Sequence, residues 1–527
     1  MKNQNSTNYS MILGSNKIIY FIFFMLMPML GIAQSAVYPS PGTLYDGQLH
    51  TIHIVMHPDS LEALYADENR WNNHTFPVTF IYDQTDTLRN VGIRLKGNTS
   101  RNARKKSFRI DTDEFINQTY QGLKTFNLNG THNDPSLTRQ YLASYFIGIA
   151  GIHTPRSNFV KLYINNTYYG LYTHVEHINR KFIESRYSDN TGNLYKCSWP
   201  ADLTWLGSDP QLYKNLINPS PQNERAYDLK TNETLDDYSD LVNFINVINN
   251  SQSDSFQYKI EQVFEVRNFL RNLAAEVLMG HWDNYFMNKN NYQLYRNPST
   301  GKFNYLSYDM DNTFGVQWGY SNIDVRDVNN WGNINASAAP LCYKLLAIEE
   351  YKNYYNKQVK NLCDSFFNIK LITEIDRVKL MIDQAVATDS FYTQQWESDY
   401  GYTYLDWQNS FTQSLGNHAS IGIKNYIANR RPSALNQIRI TGIGTTFHQA
   451  IQVYPNPALN HVYIDAANQS LLNLRIYSQT SALLFHQQYS STQTVELNLE
   501  TFENGIYLLE MELNTGEKVL KKLIISR

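Results

Sequence analysis

Short runs in which apolar and polar residues alternate follow one another through the first third of the chain, with turn-forming residues between them. Alternation with a period of two is typical of strands that bury one face, and the Asn165–Asn166 pair suits a tight turn between two such strands. The pattern therefore predicts five strands that form hairpins: VTFIYD (78–83), VGIRLKG (91–97), KSFRID (106–111), SNFVKLYI (157–164) and YYGLYTHVE (168–176).

One helix is predicted between the third and fourth of these strands. Asp134 is its expected N-cap, Pro135 occupies the first helical position, and Gly151 ends it. Apolar and aromatic side chains repeat at helical spacing between these limits, at Leu137, Tyr141, Leu142 and Tyr145. Strands, a helix and two further strands that end in an acidic residue form the order expected of a small nucleotide-binding lobe.

The rest of the chain is predicted to be largely helical and then to change character. Apolar residues recur at helical spacing in 236–249, in 262–280 and in much of 340–435. Short alternating strands with turns then return, which predicts a β-sandwich of roughly 80 residues. We therefore predict an α+β fold with a two-lobed domain over residues 49–440 and a small β-sandwich over residues 450–527.

The beginning of the chain predicts a signal peptide. Lys17 precedes an apolar run that, at about 16 residues, is shorter than the roughly 20 that a membrane-spanning helix needs. A membrane anchor is the alternative, but small residues at Gly31 and Ala33 favour cleavage. We expect residues 1–33 to be a signal peptide and residues 34–48 a linker, in a protein that is secreted or displayed at the cell surface. No later segment is apolar enough to span a bilayer.

Composition narrows the range of partners. The formal net charge of −3 over 527 residues gives no footprint for nucleic acid or for an anionic membrane surface. Cys197, Cys342 and Cys363 are too few for a disulfide scaffold and match no zinc-binding spacing. We therefore expect no nucleic-acid partner, and we expect each cysteine to be a small buried apolar residue.

Asp283 is the first candidate for chemistry. His281-Trp282-Asp283, with Asn288 five positions later, fits the spacing H-x-D-x-x-x-x-N, in which protein kinases use the Asp to orient a hydroxyl and the Asn to bind a metal. The alternative is a helix C-terminus capped by polar side chains, which so short a match does not exclude.

Two further carboxylates follow in a predicted hairpin. YQLY (292–295) and FNYLSYD (303–309) are expected to pair, which returns Asp309 towards Asp283. Because alternate residues of a strand share a face, Asp309 and Asp311 are expected to project together. Like charges at such a separation need a cation, and Mg²⁺ binds through one or two carboxylates together with phosphate oxygens and water.

Two alternatives compete with a magnesium site at these carboxylates. A calcium-binding loop of the EF-hand type needs a Gly and a Glu where this chain has Phe314 and Tyr320, so it is excluded. A solvated acidic turn remains open.

Basic residues in RLKGNTSRNARKKSFRID (94–111) are candidates for phosphate binding. The turn that includes Ser100 supplies backbone N–H groups, and cationic side chains follow it. In the predicted strand Lys106 shares a face with apolar residues, which is an expensive position for an ammonium group unless it meets an anion. We therefore expect Lys106 to contact phosphates, with Lys105 beside it, and a basic surface hairpin is the alternative.

Glu176 ends the second hairpin of the predicted small lobe. It is a candidate to position the nucleotide or to pair with a cation, and a structural role is the alternative. His174 and His177 flank it without the HExxH spacing of zinc proteases, so no zinc site is expected. The chain also contains no Walker A loop and no G-x-S-x-G nucleophile motif.

Segments spread over residues 50–435 resemble, in the same order, the CotH family of spore-coat kinase-like proteins. The matching runs are RLKGNTS, KKSFRI, LYINNTYYGLYTHVEHI, NLYKC, YDLKT, LAAEVLMGHWDNY, NNYQLYR and YLSYDMDNTFG. The resemblance implies an atypical protein-kinase-like fold and Mg²⁺-ATP-dependent phosphorylation of Ser and Thr in proteins outside the cytoplasm. Some members are discussed as surface adhesins, so membership does not guarantee catalysis.

The resemblance also implies roles for individual residues. Asp283 is similar to the catalytic-loop Asp of the family, Asp309 to its metal-binding Asp, and Lys106 lies where the family has a basic strand. Asn291 resembles the Asn of the family better than Asn288 does, whereas the kinase spacing favours Asn288. The sequence leaves both open as metal ligands.

The C-terminal residues 450–527 resemble the sorting domain of the type IX secretion system. YPNP (454–457), NGIYLLEM (504–511) and the final KVLKKLIISR carry the likeness. It implies a Bacteroidetes-type outer-membrane export route, with the secretion machinery as a partner and the domain removed on arrival.

Two functions from different classes follow from these features. The first is an exported protein kinase that uses ATP and Mg²⁺, with Asp283 orienting the acceptor hydroxyl, Asp309 and Asp311 at the metal, and Lys106 at the phosphates. The second is a catalytically silent adhesion or scaffold protein that keeps the fold. A carbohydrate-active enzyme with Asp283 and Asp309 as an acid/base pair is a weaker third hypothesis.

Overall fold

The computed structural model of the chain describes residues 42–317, 321–332, 335, 337–396, 399–416, 418–438, 451–466, 470–478, 482–514 and 518–527. The predicted signal peptide and all but the end of the predicted linker lie outside the described residues. Within these described ranges, no helix combines the length and the apolar character that a bilayer span requires.

Seven strands close into a β-barrel in the N-terminal part of the chain. They are β1 (Leu49–Val55), β2 (Phe76–Tyr82), β3 (Asp86–Leu95), β4 (Phe108–Asp111), β5 (Thr125–Asn129), β6 (Ser157–Ile164) and β7 (Thr167–Glu176). Their order around the barrel is β1-β2-β3-β4-β5-β7-β6, and the parallel pairing of β1 with β6 closes it. Ile93, Ile110 and Phe126 are among the fully buried apolar residues that fill its interior.

The predicted hairpins of this part are confirmed. β2 pairs with β3 and β6 pairs with β7, both in antiparallel fashion. At the second turn Asn165 and Asn166 have φ of 48° and 65°, the left-handed pair that a two-residue hairpin turn requires and that Asn tolerates. The sequence pattern therefore located these strands to within a few residues.

Two helices accompany the barrel, α1 (Pro58–Tyr65) and α2 (Arg139–Ile149). The prediction that α2 begins after an N-cap at Asp134 is wrong. The Asp134 carboxylate instead accepts the backbone N–H groups of Ser136 and Arg139, each at 2.9 Å, and Leu137 takes a left-handed φ of 57°. This turn diverts the chain, so the helix starts four residues later than the pattern predicts.

The following part of the chain is mainly helical and contains one sheet. Its elements are α3 (Arg180–Glu184), β8 (Leu194–Cys197), α4 (Gln211–Lys214), β9 (Tyr227–Leu229), α5 (Ser239–Asn250), α6 (Ser253–Val263), α7 (Val266–Met279), α8 (Tyr285–Asn288), β10 (Tyr292–Asn297), β11 (Lys302–Ser307), α9 (Pro340–Ala347), α10 (Glu349–Ser365), α11 (Ile369–Ala387), α12 (Tyr404–Asn409) and α13 (Ile423–Gln437).

The sheet of this part has the order β11-β10-β8-β9 and is antiparallel throughout. One of its faces packs on the helices and shares their large hydrophobic core, which includes Tyr292, Leu294 and Tyr305. The other face carries Leu194 and Leu306, which pack with apolar residues of α3. The three cysteines are buried with free thiols, as expected.

The C-terminal residues form two antiparallel sheets. Their strands are β12 (Gln452–Tyr454), β13 (His461–Asp465), β14 (Leu471–Tyr477), β15 (Leu483–Thr492), β16 (Thr494–Asn498), β17 (Gly505–Leu513) and β18 (Lys518–Ile525). The orders are β12-β13-β16 and β15-β14-β17-β18. Val462 of the first sheet and Leu474 and Leu509 of the second belong to one buried apolar cluster. The protein as a whole is thus a mixed α and β protein that ends in β-sheets.

Candidate functional site

Asp283 lies at the centre of a network of side-chain amides. It follows α7, which Gly280 ends in a left-handed conformation with φ of 71°. The amides of Asn288 and Asn290 donate to its Oδ1 at 2.6 and 3.3 Å, and that of Asn291 donates to its Oδ2 at 2.9 Å. Burial raises the pKa of Asp283 by more than these hydrogen bonds lower it. The network fixes the orientation of the carboxylate.

A buried glutamate supports the loop that carries Asp283. Glu276 of α7 accepts the amide of Asn284 at 2.7 Å and also the hydroxyl of Ser307, at the end of β11. Asn284 in turn caps α8 by accepting the backbone N–H of Met287 at 3.2 Å. The loop is therefore tied to a helix beneath it and to the strand that leads to the next acidic residues.

Asp309 and Asp311 lie in a loop after β11 and not on the strand itself. The strand ends at Ser307, and Asp309 has a left-handed φ of 50°. The expectation that strand alternation makes the two side chains project together is therefore wrong. A left-handed aspartate is tolerated but carries strain, and such residues concentrate at functional sites.

The acidic loop nevertheless lies close to the other carboxylates. Burial, and then the carboxylates of Asp309, Asp134 and Asp283, raise the pKa of Asp311 well above its ordinary value, whereas Lys96 lowers it. Asn312 also donates its amide to Oδ2 of Asp283, at 3.3 Å. Asp283 and the acidic loop therefore belong to one site, as the sequence predicts.

The first turn of α2 holds the acidic loop in place. Gln140 accepts the backbone N–H of Met310 at 2.9 Å, and the guanidinium of Arg139 donates to the carbonyls of Thr313 and Phe314 at 3.1 and 3.4 Å. Arg139 is itself buried in an ion pair with Asp134. No sequence pattern predicts these contacts, because they join residues about 170 positions apart.

Lys96 brings a cation to the same place. It follows β3 directly, donates to the side-chain oxygen of Asn129 at 3.1 Å, and lies 5.9 Å from the centre of the Tyr308 ring. Burial lowers the pKa of Lys96, but Tyr308, Asp309 and Asp311 outweigh burial, so its pKa is raised. The alternation of VGIRLKG placed this lysine on the polar face of its strand, a signal that the sequence analysis did not use.

The lysines chosen from the sequence lie elsewhere. The ammonium of Lys106 donates to the carbonyl of Arg101 at 2.7 Å. That of Lys105 is buried against the Asp389 carboxylate at 2.6 Å and the Leu171 carbonyl at 2.8 Å. Neither contact includes the acidic loop.

Ser100 lies next to Lys96 through the turn that follows β3. Its hydroxyl donates to the Lys96 carbonyl at 3.5 Å, beneath Gly97. A Cβ at Gly97, which has φ of 99°, would lie 1.9 Å from that hydroxyl oxygen, so the turn requires glycine.

Glu176 lies in ion pairs. Its carboxylate is buried and accepts from Arg156 at 2.7 Å and from Arg186 at 2.5 Å. Burial raises the pKa of Glu176, but the two guanidinium groups outweigh burial and the net pKa is lowered. Glu176 therefore pairs with cations, which was one of the roles expected of it, and both cations belong to the protein itself.

The outer face of the barrel near Lys96 is polar. Arg94, Arg109, Asn127 and Val175 form one row of directly paired residues across β3, β4, β5 and β7. Directly opposed residues point to the same side of a sheet, and the adjacent row, which contains Ile93, fills the interior. The first row therefore points outwards, as Lys96 does.

The face of the β11-β10-β8-β9 sheet that α3 covers in part lies beside this side of the barrel, and the space between them is called the cleft. Gln293 pairs directly with Lys196 and with Leu306, so these three side chains share that face. Tyr308, two residues beyond Leu306, meets Lys96 of the barrel. The cleft thus leads from these strands to the acidic loop.

Basic side chains of the barrel and of the sheet lie near His177 in the cleft. His177, which follows β7, has a pKa well below its ordinary value, first because of burial and then because of Arg109, Lys96, Lys196 and Lys230. Cations from the barrel and from the sheet therefore converge on one imidazole. A cleft with cations along its walls and carboxylates at one end can accommodate an anion that binds a divalent cation.

The residues present fit Mg²⁺ bound together with a phosphate ligand. No group of three or more His, Cys, Asp or Glu side chains among the described residues could hold a metal ion alone. Burial, and then the neighbouring carboxylates, raise the pKa of Asp311, and a divalent cation bound beside it would favour its ionised form. One or two carboxylates with phosphate oxygens and water are the usual ligands of Mg²⁺.

Comparison with known proteins agrees with this organisation. Residues 93–433 match the model of the CotH kinase protein family, and residues 452–526 match the secretion system C-terminal sorting domain. The sorting domain indicates type IX secretion and a secreted or cell-surface location.

Three relatives of known name match parts of this chain. The inner spore coat protein H of Bacillus subtilis is 24% identical over 321 residues, which are 60% of this chain and 82% of that protein. Invasin CotH3 of Rhizopus delemar is 29% identical over 36% of this chain and 32% of its own length. Invasin CotH2 of the same fungus is 24% identical over 60% of this chain and 55% of its own length.

Among solved structures, a chain of the Shewanella oneidensis MR-1 toxin–antitoxin system HipA and HipB with operator DNA overlaps 63% of this chain and 62% of its own length. At 9% identity and a TM-score of 0.27, the overlap is too slight to support a statement about function. The family match covers the barrel from β3 onwards, the cleft and the acidic loop, and the chain belongs to the CotH kinase protein family.

Proposed function

We propose that this protein is an exported kinase that transfers the γ-phosphoryl group of ATP, with Mg²⁺, to Ser or Thr hydroxyls of proteins outside the cytoplasm. The observation that carries the proposal is the meeting of Lys96, Tyr308 and the Asp309–Asp311 loop beside Asp283. A cation from the barrel and carboxylates from the helical part face each other across one cleft. Phosphoryl transfer needs this pairing of charges.

In this proposal the nucleotide lies in the cleft, between a small lobe formed by the barrel and a large helical lobe. Lys96 contacts its phosphates and takes the role that the sequence analysis gave to Lys106 and Lys105. Ser100 shapes the turn next to it, and Glu176 holds the end of β7. The cations that lie near His177 support the binding of a polyanionic ligand.

Asp309 and Asp311 bind Mg²⁺ in this proposal, together with an asparagine. Asn291 suits that role because its carbonyl accepts the backbone N–H of Tyr308 at 3.1 Å, which places it next to Asp309. Asn288 remains the alternative, since both amides donate to Asp283. When bound, Mg²⁺ neutralises the phosphate oxygens and the carboxylates that face them.

Asp283 orients the acceptor hydroxyl. The amides of its asparagine neighbours hold the carboxylate in one orientation, and the raised pKa of Asp283 suits a group that accepts a proton. The acceptor oxygen forms a bond to the γ-phosphorus while the bond from that phosphorus to the β,γ-bridging oxygen breaks. The hydroxyl proton passes to Asp283, and ADP leaves.

The C-terminal sheets complete the proposal. We infer that β12–β18 form a β-sandwich that the type IX secretion machinery recognises and that is removed on arrival, since both sheets share one apolar core. The cleft and the acidic loop lie within residues 93–433, apart from this region in the sequence.

Adhesion without turnover is the second candidate function. Two of the relatives are named invasins, and they match 36% and 60% of this chain. In this case the fold would serve binding at a surface, and the amide network around Asp283 would be structural.

Incubation of the full chain with γ-labelled ATP and Mg²⁺ separates the two functions. The parent protein is expected to label itself or an added Ser/Thr-rich protein, and Asp309→Ala and Asp283→Asn are each expected to abolish labelling. Asp254→Asn, at an exposed carboxylate in the first turn of α6, is the matched control. Absence of labelling by the parent protein, or equal labelling by Asp309→Ala, would support the adhesion function.

A further inference from the structure

Gln293 lies in the middle of β10, on the cleft face of its sheet. It stands directly opposite Lys196, and Lys196 influences the pKa of His177, which lies on the barrel side of the cleft. The strand passes Gln293 after leaving Asn291, whose amide contacts Asp283. Gln293 is two residues beyond Asn291 in the sequence and lies in β10, so it is at most about 7 Å from Asn291 along the chain.

The side chain of Gln293 is buried without a partner. It is 3% exposed, and its amide oxygen is shielded from solvent and accepts no hydrogen bond from the described residues. Buried polar groups are almost always satisfied, so an unsatisfied one in a cleft indicates a ligand that is bound there.

Two further atoms around the cleft are in the same condition. The side-chain oxygen of Asn127 belongs to the outward row of the barrel, and Nδ1 of His177 lies where the cations converge. Neither has a hydrogen-bond partner among the described residues. Unsatisfied polar atoms on both walls, beyond the phosphate end of the cleft, suit a flat heterocycle with several nitrogen atoms.

We propose that Gln293 reads the base of the nucleotide and selects adenine over guanine; this inference rests on the proposed function. A carboxamide presents one acceptor and one donor side by side. Adenine presents the complementary pair, an amino group beside a ring nitrogen, whereas guanine presents two acceptors at the corresponding edge. The amide oxygen of Gln293 would receive the adenine amino group and would repel the guanine carbonyl.

Binding of Mg²⁺ complexes of two non-hydrolysable analogues, AMP-PNP and GMP-PNP, to the full chain tests this inference by calorimetry. The parent protein is expected to bind AMP-PNP more tightly. Gln293→Leu keeps the size of the side chain and removes both polar atoms. The ratio of the dissociation constant of GMP-PNP to that of AMP-PNP is therefore expected to fall by about tenfold or more. Gln293→Met also removes both polar atoms, with an unbranched side chain of similar length, and is expected to lower the same ratio, which keeps the test informative if the Leu variant folds poorly.

Asn272→Leu is the matched control. Asn272 is also a buried amide with an unpartnered atom, but it contacts Ser307 on the helix side of the same sheet. Its substitution is expected to leave the ratio at the parent value. An unchanged ratio in both Gln293 variants overturns the inference alone, whereas a parent protein that binds neither analogue overturns the proposed function.

Discussion

Gln140, in the first turn of α2, accepts the backbone N–H of Met310 at 2.9 Å. Met310 stands between the two carboxylates of the acidic loop, so this bond fixes the backbone that aims them. The donor nitrogen of Gln140 is used separately, in a bond of 3.2 Å to the hydroxyl of Ser144. The first turn of α2 therefore controls the geometry of a loop that lies far from it in the sequence.

Gln140→Leu is expected to raise the Mg²⁺ concentration needed for half-maximal activity. The substitution leaves the buried N–H of Met310 without an acceptor, which costs about 1–3 kcal/mol and frees the acidic loop. A Mg²⁺ titration of the labelling rate at saturating ATP measures the effect. Ser144→Ala removes only the second bond of Gln140 and serves as control. Equal Mg²⁺ requirements in the parent protein and in Gln140→Leu would show that the loop is held by other contacts.

Lys105→Met is expected to destabilise the fold by about 3–5 kcal/mol, because it leaves the Asp389 carboxylate buried without its cation. Asp389 also accepts the backbone N–H groups of Leu171 and Phe391, each at 2.9 Å, so it links β7 to the chain after α11. Adding Asp389→Asn, which removes the charge and keeps an acceptor, should restore part of the loss. Urea unfolding measures both values.

The control for this prediction is Lys360→Met on α10. Lys360 and Asp364 form an ion pair at 2.5 Å in which both side chains are about half exposed, and such pairs contribute about 0–1 kcal/mol. A loss in Lys105→Met as small as that in Lys360→Met would contradict a structural role for the buried pair and would return Lys105 to the candidates for phosphate binding.

The free energy of unfolding is expected to decrease as the pH is lowered, because of His174, which lies inside the barrel. Burial, and then His50 and Arg156, lower the pKa of His174 to about 3, so the folded protein keeps it neutral. An unfolded histidine titrates near pH 6.5, so the unfolded state binds the extra proton below that value. The free energy of unfolding therefore keeps its full value above pH 6.5 as far as His174 is concerned, and at pH 5 it is about 2 kcal/mol lower.

Urea unfolding of the parent protein and of His174→Asn between pH 7 and pH 5 measures this effect. Asn keeps an acceptor for the hydroxyl of Tyr45, which lies 3.2 Å from Nε2 of His174, and it does not titrate. The variant is expected to lose less stability over this range. His50 provides the opposite sign, since its contacts with Asp46 and Asp83 outweigh burial and raise its pKa. Parallel pH profiles for the parent protein and His174→Asn would refute the prediction.

Local sequence pattern predicted the barrel strands well because strand alternation and tight turns are local properties. The Asn165–Asn166 turn and β6 are examples. It failed at Asp134, whose carboxylate caps a turn and pairs with Arg139, because a side-chain bond within the turn outweighed the helix-start signal. Competition of this kind between an aspartate and the backbone cannot be read from residue types alone.

The candidate site was predicted only in part, because local patterns do not show contacts between residues that are distant in the sequence. Asp283 and Asn288 were found from the spacing that kinases use, Asp309 from the predicted hairpin before it, and Asn291 from the resemblance to the family. The structure brings Asp283 and the acidic loop together. Lys96 was overlooked in favour of Lys106, since the choice rested on where β4 begins: the strand starts at Phe108, so Lys106 lies before it and outside its alternation. Gln140 acts through a contact across the fold, which no local pattern predicts.

Lys96→Met is expected to lower kcat/KM for ATP by about 100-fold, as removal of a group that meets developing phosphate charge does in other enzymes. Met keeps the length of the apolar stem and removes the charge that faces Tyr308, Asp309 and Asp311. Lys106→Met is the matched variant, because it removes the other lysine of the same hairpin, whose ammonium is bound to the Arg101 carbonyl. It is expected to retain kcat/KM close to the parent value. Steady-state rates over a range of ATP concentrations measure both, and a large loss in Lys106→Met with little loss in Lys96→Met would move the phosphate site to the beginning of β4.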